Sequence, residues 1–385
     1  MTDKDPLSSD LLARIHGRAA DYDTTNRFFD EDLAELAAAG YLKALVPTEF
    51  GGLGLSLQET AQLQVRLAKA APATALAVNM HHVWCGVAKL LYERGDTTWA
   101  FLLKQAGQGE IFAFGLSEAG NDLVLFGSNT EAIPQDGGGY RFFGTKIFTS
   151  LSPAWTRLGT MGLDTTSADA PKIVYGFIER DAGGFEIRSD WNTLGMRATQ
   201  SNTTVLKGAF SPPNRIVRRL DPGPNADPLV FAIFANFELL LAAVYTGVGA
   251  RALELAVDAA HRRTSMKNEG RSYAHDPDIR WRVASAAIDQ DALMPQLDTL
   301  THDVDTGINH GALWFPRLVG MKVRATETAK RVVDEAIRVS GGSTFFNGNE
   351  LGRLYRDVIA GLFHPSDAES AHNTVANAWL GPLED

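Results

Sequence analysis

The segment DPLVFAIFANFELLLAAVYTGVGARALELAVDAAHRRT, residues 227–264, decides the fold of this 385-residue chain. Apolar residues recur along it at spacings of three and four, the period of an α-helix. Two more long segments with this period follow, at residues 276–307 and 314–342. Long helices joined by short connections pack as an up-down bundle. We therefore predict a C-terminal four-helix-bundle domain over residues 226–385.

The rest of the chain divides into a helical block and a block of strands. Residues 1–112 carry apolar residues at helical spacing, as in LQETAQLQVRLAKAA at 57–71, and are predicted as an N-terminal α-helical domain. Residues 113–225 change to short β-branched and aromatic runs such as KIVYGFIE at 172–179, separated by turn-forming sequences such as PQDGGG at 134–139. This predicts a central antiparallel β-domain, a sandwich or barrel. The fold class is α+β multidomain.

Composition and charge exclude several classes of protein. The formal net charge is -10, whereas a protein that holds nucleic acid through phosphates needs a concentrated positive surface. The single Cys85 allows no intrachain disulfide and fits a reducing compartment. The N-terminal sequence MTDKDPLSSD lacks the features of a signal peptide, and no apolar run approaches the ~18 residues of a membrane span. We therefore expect a cytoplasmic protein with no nucleic-acid partner and no membrane span.

No strong free-standing catalytic motif is present in the sequence. It lacks G-x-G-x-x-G after a strand, a phosphate-binding P-loop, G-x-S-x-G and H-E-x-x-H. The nine His residues form no pair at zinc spacing with a third ligand. We therefore expect no metal site, and function has to be inferred from the domain order and from longer segments.

Six such segments lie in order along nearly the whole chain. They are GYLKALVPTEFGGLGLSL (40–57), GLSEAGND (115–122), GTKIFTSLSP (144–153), LGMRATQSNTTVLKGAF (194–210), TGVGARALELAVDAAHRRT (246–264) and VSGGSTFFNGNELGRLYRD (339–357). Together they resemble the motifs of the acyl-CoA dehydrogenase superfamily of flavoproteins. The resemblance implies an oxidoreductase with a bound flavin and a homotetrameric assembly whose cofactor sites span subunits.

The resemblance also implies residues that contact the flavin ring. Leu116 and Ser117 occupy the positions that present backbone amides and a hydroxyl to the flavin pyrimidine edge. Phe148 stands where the family usually has Trp against the isoalloxazine, and Ser150 matches the hydroxyl near flavin N5. An ordinary strand-end turn and a core aromatic are the alternatives for these two segments.

Four further residues are implied at the phosphate end of the cofactor. Arg263 matches the arginine that reaches the flavin pyrophosphate, often on a neighbouring subunit. Arg338 takes the place of a common Gln near the dinucleotide and either contacts phosphate or faces water. Gly341 and Gly342 either let a second subunit's cofactor approach closely or simply end a helix. Arg263 and the length of the bundle favour FAD over FMN.

The catalytic base of the family is missing from both of its usual positions. In most members a Glu lies nine residues after the Arg of an Arg-Asp pair, and counting from Arg356 gives Pro365. Other members carry the Glu on the first long bundle helix, where this chain has Phe237 followed by Glu238. One residue corresponds to about 100° of helix rotation, so Glu238 cannot be assumed to face the site.

Three hypotheses follow, the first of which we prefer from the sequence. In the first, the protein dehydrogenates an acyl-CoA or acyl-carrier thioester at the α and β carbons. Asp367, Glu369 or Glu238 is then the base, hydride goes to flavin N5, and an electron-transfer flavoprotein accepts the electrons.

In the second hypothesis, a flavin reductase supplies reduced flavin and the protein hydroxylates a small molecule with oxygen. His364 then takes part in proton transfer, although it also fits as a hydrogen-bonding residue at a helix end. In the third, the protein binds a flavin or an acyl carrier without catalysis.

Overall fold

Helices, strands and helices follow one another in the order that the sequence periodicity predicts. The computed structural model describes residues 5–167 and 169–383. The N-terminal helices are α1 Ser9–Thr25, α2 Asp30–Ala38, α3 Leu57–Ala70, α4 Pro72–Glu93 and α5 Ala100–Gly107. The strands are β1 Phe112–Gly115, β2 Glu131–Pro134, β3 Tyr140–Lys146, β4 Arg157–Asp164, β5 Lys172–Glu179, β6 Phe185–Ile187, β7 Thr204–Ser211 and β8 Ile216–Leu220. The C-terminal helices are α6 Pro228–Arg262, α7 Pro277–Asp291, α8 Leu293–Thr306, α9 Trp314–Ser340, α10 Glu350–Val358 and α11 Ala368–Leu380.

The N-terminal helices begin where local chemistry favours it. Ser56 forms a capping box at the start of α3, because its hydroxyl accepts the Glu59 N–H at 3.0 Å and the Glu59 carboxylate accepts the Ser56 N–H at 2.9 Å. Helix α4 begins at Pro72, a residue suited to the first turn. This helix is almost entirely buried and packs on both β1 and α6. It is therefore the layer that joins the sheet to the bundle.

The β-domain is one eight-stranded sheet rather than two separate sheets. Its order is β6-β7-β3-β2-β4-β5-β8, with β1 paired to β4. Most neighbours are antiparallel, as predicted, but β1 runs parallel to β4 and one residue pair of β2 is parallel to β4. Strand β1 also packs against α4, so the segment after it, which contains Leu116 and Ser117, begins where the sheet meets the helices.

Helix α6 is the centre of the bundle and packs against α9, α3 and α4. By length and hydropathy alone it could cross a membrane, a feature that inspection of the sequence for apolar runs overlooked. In its most apolar window, however, 89% of the residues are buried inside the protein. The apolarity of α6 is therefore explained by its position in the core. Helix α9 ends at Ser340, and Gly341 with φ 73° confirms the predicted glycine stop.

Candidate active site

A cavity of about 380 Å³ lies where the sheet, α4, α6 and the segment after α10 meet. One side, which we call the hydroxyl wall, comes from loops of the β-domain. It consists of Ser117, Phe148, Ser150, Trp191, Thr199 and Ser201. A second group of lining residues, which we call the apolar wall, has one polar member, His364. Its other members are Leu76, Met80, Phe114, Leu194, Phe237, Ile359, Ala360, Phe363 and Pro365.

Three hydroxyls of the hydroxyl wall form a chain of fixed direction. Thr199 Oγ1 donates to the Met196 carbonyl at 2.9 Å, which uses its only proton. Ser201 Oγ, 2.8 Å from Thr199 Oγ1, must then donate to it. By the same argument Ser150 Oγ donates to Ser201 Oγ over 2.7 Å. Ser150 therefore has no proton left, and its oxygen can only accept a hydrogen bond from a molecule in the cavity.

An aromatic pair completes the hydroxyl wall. Phe148 has 54% of its surface exposed, and its ring meets that of Trp191 edge-on with centroids 6.0 Å apart. The Phe148 backbone has φ 55°, a left-handed conformation that is uncommon for a bulky residue. Such strain is found where the surrounding structure holds a residue for a functional purpose. The neighbouring Leu116 side chain is buried outside the cavity, so only its backbone is available to a ligand.

His364 lies in the apolar wall and is held by Tyr245 of α6. Tyr245 Oη and His364 Nε2 are 2.9 Å apart, and this is the only hydrogen bond of the Tyr245 hydroxyl within the described chain. Since a buried hydroxyl needs an acceptor, Tyr245 donates to Nε2 and the imidazole proton resides on Nδ1. Burial, aided by the nearby Lys322 charge, lowers the pKa of His364 to about 3. The imidazole is therefore neutral at pH 7.

Helix α10 is joined to the β-domain at the edge of the cavity. Asp357 Oδ1 accepts the Met196 N–H at 2.6 Å, and burial raises the pKa of Asp357 to about 6. A Cβ on Gly195 would lie 2.1 Å from the Arg356 carbonyl oxygen, so only glycine allows this approach. Arg356 also lines the cavity, but its guanidinium makes two hydrogen bonds to Asp23 of α1, at 2.6 and 3.0 Å. This arginine therefore serves as a joint between domains.

Glu238 faces away from the cavity, whereas Phe237 lines it. The Glu238 carboxylate is buried and accepts the Ser366 N–H at 3.1 Å and the Ser366 hydroxyl at 2.9 Å. Lys322 of α9 donates to the carbonyls of His364 and Ser366, each at 2.7 Å. Burial raises the pKa of Glu238 to about 7 and lowers that of Lys322. Glu238 and Lys322 thus anchor the segment that carries His364, in agreement with the 100° rotation between residues 237 and 238.

The other two candidate bases lie in a second cavity. Asp367 and Glu369 line a space between α9 and α11, which contains Lys330 but none of the hydroxyl wall. The Asp367 carboxylate caps α11 by accepting the Ser370 N–H at 2.9 Å. Hydrogen bonding by Ser370, through its side chain first and its N–H second, lowers the pKa of Asp367. The structure therefore does not bring Asp367 or Glu369 together with Ser150 and Phe148.

The residues predicted at the phosphate end lie apart from this cavity within one chain. Arg263 donates to the Val339 carbonyl at 2.8 Å, and its guanidinium stacks 4.5 Å from the Tyr273 ring centroid. Gly341 gives it room, since a Cβ there would lie 2.7 Å from the guanidinium. Arg338 is exposed and pairs with Asp334, which lies one turn earlier on the same helix. Gly342 restricts nothing in this chain, because a Cβ placed on it would meet no atom within 4 Å.

Sequence reasoning missed several members of the site. Trp191 lies just before the family-like segment 194–210. An aromatic residue at that place could have indicated a contact with the flavin. Tyr245 lies in the apolar helix α6 and Lys322 in the amphipathic helix α9. Nothing local in either sequence indicates that their polar ends meet residues 361–366. Leu76 and Met80 belong to a helix that is buried on every side, so periodicity does not indicate which of its faces borders the cavity.

The hydroxyl wall fits the requirements of a flavin ring. An isoalloxazine needs an aromatic or apolar surface along its faces and a few hydrogen-bonding groups along its edge. Phe148 and Trp191 supply the first, and Ser117 and Ser150 supply the second. The volume also falls in the ~300–1,000 Å³ range of small-molecule and cofactor sites.

Comparison with known proteins gives relatives along nearly the whole chain. The chain is 29% identical over 369 residues to amino sugar nitrososynthase RubN8 of Streptomyces rubradiris, covering 91% of this chain and 83% of that protein. It is 28% identical over 364 residues to the putative acyl-CoA dehydrogenase YdbM of Bacillus subtilis, covering 94% and 92%. The crystal structure of a nitrososynthase from Micromonospora carbonacea var. africana superimposes with a TM-score of 0.84 at 25% identity, covering 97% and 95% of the two chains.

Two family descriptions match the helical parts of the chain. Residues 11–98 match "Acyl-CoA dehydrogenase, N-terminal domain", and residues 239–366 match "Acyl-CoA dehydrogenase, C-terminal domain". Together they cover more than half of the 385 residues, and the order of helices, sheet and helices agrees with them. The chain belongs to the acyl-CoA dehydrogenase superfamily of flavoproteins.

Proposed function

We propose that this oxidoreductase is a flavin-dependent monooxygenase that hydroxylates a small molecule with O₂ and reduced flavin. One observation carries the proposal: none of the described residues that line the 380 Å³ cavity is a carboxylate. Dehydrogenation of a thioester requires a base that removes the α-proton while hydride leaves the β-carbon. The second of our three hypotheses is therefore favoured over the first.

None of the candidate bases has both the position and the basicity needed to remove a proton from a molecule in the cavity. Glu238 faces Ser366, and Asp367 and Glu369 line the other cavity. His364 is in reach, but an imidazole with a pKa of about 3 is too weak a base for a carbon acid at neutral pH. The position nine residues after Arg356 is Pro365, which has no proton-accepting side chain.

The residues of the two walls have defined roles in such a reaction. When bound, reduced flavin would supply the two electrons with which one atom of O₂ enters the substrate and the other leaves as water. The apolar wall keeps bulk water from the reacting atoms. His364, with its proton on Nδ1, donates a hydrogen bond to oxygen or substrate, and Tyr245 fixes that tautomer. Arg263 would hold a flavin phosphate, on its own or a neighbouring subunit of a homo-oligomer.

The similarity to nitrososynthases supports this proposal, because oxygen transfer to nitrogen is implied by their names. A flavin reductase is then the redox partner in place of an electron-transfer flavoprotein. FAD remains our prediction for the flavin on the ground of Arg263, and FMN is the alternative. A cytoplasmic location likewise remains a prediction.

The first expected result distinguishes the reaction types. Anaerobic addition of butyryl-CoA or isovaleryl-CoA to the protein with oxidised flavin is expected to leave the visible absorbance of the flavin unchanged. With a flavin reductase, NADH and ¹⁸O₂, mass spectrometry is expected to find the label in a member of a panel of amines, thioethers and indoles. Bleaching of the flavin absorbance by either ester would support the dehydrogenase hypothesis instead. Absence of ¹⁸O from every member of the panel would favour a non-catalytic binding protein.

The second expected result concerns the acceptor-only Ser150. We propose that it faces flavin N5, which carries a hydrogen only in the reduced flavin, so the wild-type protein should bind reduced flavin more tightly than oxidised flavin. In Ser201→Ala the Ser150 proton loses its acceptor and can turn toward oxidised N5. One hydrogen bond contributes ~0.5–1.5 kcal/mol, so the ratio of the two dissociation constants should fall by about 2- to 10-fold.

Anaerobic fluorescence titration with oxidised and photoreduced flavin measures this ratio. Ser152→Ala is the matched control, because Ser152 is equally buried in the same segment but donates to the Thr149 carbonyl at 2.6 Å. An unchanged ratio in Ser201→Ala would show that the hydroxyl chain does not set the redox preference.

A further inference from the structure

We infer that the substrate of this cavity is a compact, uncharged and mainly apolar molecule, and that it carries neither a phosphate nor an ammonium group where it is bound. The inference rests on the proposed function, since it concerns the same site. It differs from what the names of the three relatives described above suggest, because an amino sugar or a CoA thioester is polar or charged.

The cavity has no cation that is free to bind a phosphate. Arg356 is the only arginine or lysine among its described lining residues. Its two terminal nitrogens already bond both oxygens of Asp23, and one of them also donates to the Leu194 carbonyl at 3.2 Å. Releasing this guanidinium would leave the buried Asp23 without its partner and would separate α1 from α10. A diphosphate inside the cavity would therefore remain unpaired.

The cavity has no anion that is free to bind an ammonium group either. Asp357 and Glu238 are buried carboxylates on neighbouring elements, and each is committed to backbone N–H groups on the far side of the lining. None of the described lining residues is itself a carboxylate. His364 is neutral and presents a donor rather than an acceptor at Nδ1. Transferring an unpaired cation from water into such a site is strongly unfavourable.

The rim of the cavity is apolar as well. Phe363 and Leu194 expose 71% and 61% of their surface there, and Phe237 and Phe114 stack behind them with ring centroids 5.3 Å apart. Apolar surface gains roughly 25 cal/mol for each Å² removed from water. An apolar ring or short chain gains most from this wall, and the Nδ1 proton of His364 offers one hydrogen bond to a single acceptor atom.

Matched probes test the inference without any turnover. Isothermal titration calorimetry of the flavin-loaded protein compares indole with indole-5-carboxylate, tryptamine, dTDP and butyryl-CoA. Indole is expected to bind, and each charged probe at least about tenfold more weakly, since its charge would be buried without a partner. Equal or tighter binding of any charged probe would overturn the inference.

A pair of variants adds a second, independent measurement. Phe237→Glu places a carboxylate in the apolar wall and is expected to raise the affinity for tryptamine relative to indole by about tenfold or more. Phe237→Leu is the uncharged control and should leave that ratio within about twofold. If circular dichroism shows that the Phe237→Glu protein does not fold, the calorimetric series on the wild-type protein decides alone. If the Phe237→Glu protein folds but its affinity for tryptamine relative to indole is unchanged, the inference is overturned.

The two proposals fail in distinguishable ways. If indole binds but no panel member acquires ¹⁸O, the monooxygenase proposal fails and the substrate class stands. If label enters a charged substrate that binds as tightly as indole, the monooxygenase proposal stands and the substrate class fails.

Discussion

Lys146→Met is expected to lower the free energy of unfolding by about 3–5 kcal/mol, the usual cost of leaving one member of a buried ion pair without its partner. Lys146 Nζ donates to Glu118 Oε1 at 2.6 Å and to the Met161 carbonyl at 2.8 Å, and both charged side chains are fully buried. Methionine approximates the shape of lysine but carries no charge. The Glu118 carboxylate would then remain buried with its negative charge uncompensated.

The surroundings of Glu118 show how strongly the wild-type protein favours the carboxylate over the protonated acid. Its oxygens also accept the N–H groups of Asn129 at 2.7 Å and Thr130 at 3.0 Å and the Ser128 hydroxyl at 2.7 Å. Against the effect of burial, the Lys146 charge and these bonds lower the pKa of Glu118 to about 2. A lowered pKa means that this stabilisation is present above the ordinary pKa near 4.5 and is lost as pH falls toward 2.

Urea unfolding at pH 7, followed by tryptophan fluorescence, measures the effect. Lys207→Met is the matched control: Lys207 pairs with Glu186 between neighbouring strands of the same sheet, but both side chains are more than half exposed. Exposed pairs contribute ~0–1 kcal/mol, so the control should unfold nearly as the wild type does. A Lys146→Met protein within about 1 kcal/mol of the wild type would contradict the prediction, since a buried pair costs more than that to break.

This pair also shows how far the sequence alone could lead. Glu118 and Lys146 stand in two of the segments that carry the family resemblance, GLSEAGND and GTKIFTSLSP, yet they are 28 residues apart in sequence. Their contact depends on β1 lying parallel to β4, and no local pattern predicted that pairing. The two motifs could be recognised in the sequence. That Glu118 and Lys146 pair, and so hold the neighbouring Ser117 and Phe148 in place, could be recognised only once the strand pairing was known.

The order of the three blocks and the glycine stop at Gly341 could be predicted, because each follows from short-range chemistry. The different directions of Phe237 and Glu238 could also be anticipated, since helix geometry is regular. The location of Asp367 could not be predicted, because it depends on how the chain turns between α10 and α11. Residues 361–366 are fixed there by Lys322 and Glu238, which are 39 or more residues away in sequence.

Glu238→Gln is expected to gain about 2–3 kcal/mol of stability relative to the wild type as pH rises from 5 to 8, at 1.36 kcal/mol for each pKa unit. Burial raises the pKa of Glu238 to about 7 in the folded protein, from 4.5 when unfolded. A raised carboxyl pKa contributes stability that is fully present below the unfolded value and is lost as pH rises through the folded value. Glutamine does not titrate and has no such loss.

Urea unfolding of both proteins at pH 5, 6, 7 and 8 gives the difference directly. Glu254→Gln is the control, because Glu254 lies on the same helix but pairs with Lys69 at the surface, so its difference from the wild type should vary little with pH. A difference for Glu238→Gln that is equally flat would mean that Glu238 titrates normally.

Because Glu238 and Lys322 both bond the 361–366 segment, Glu238→Gln has a second expected consequence, which does not depend on pH. Glutamine keeps an oxygen that can accept from Ser366, but it places two amide N–H donors where the protonated Glu238 has one O–H, at an atom position with no partner within the described chain. The Glu238→Gln protein should therefore be less stable than the wild type at pH 5, by the cost of one additional unpaired donor. Loss of the carboxylate also leaves Lys322 as the charged anchor of that segment. Since the segment carries His364, any loosening should be detected in the cavity as weaker indole binding, whereas Glu254→Gln should bind indole as the wild type does.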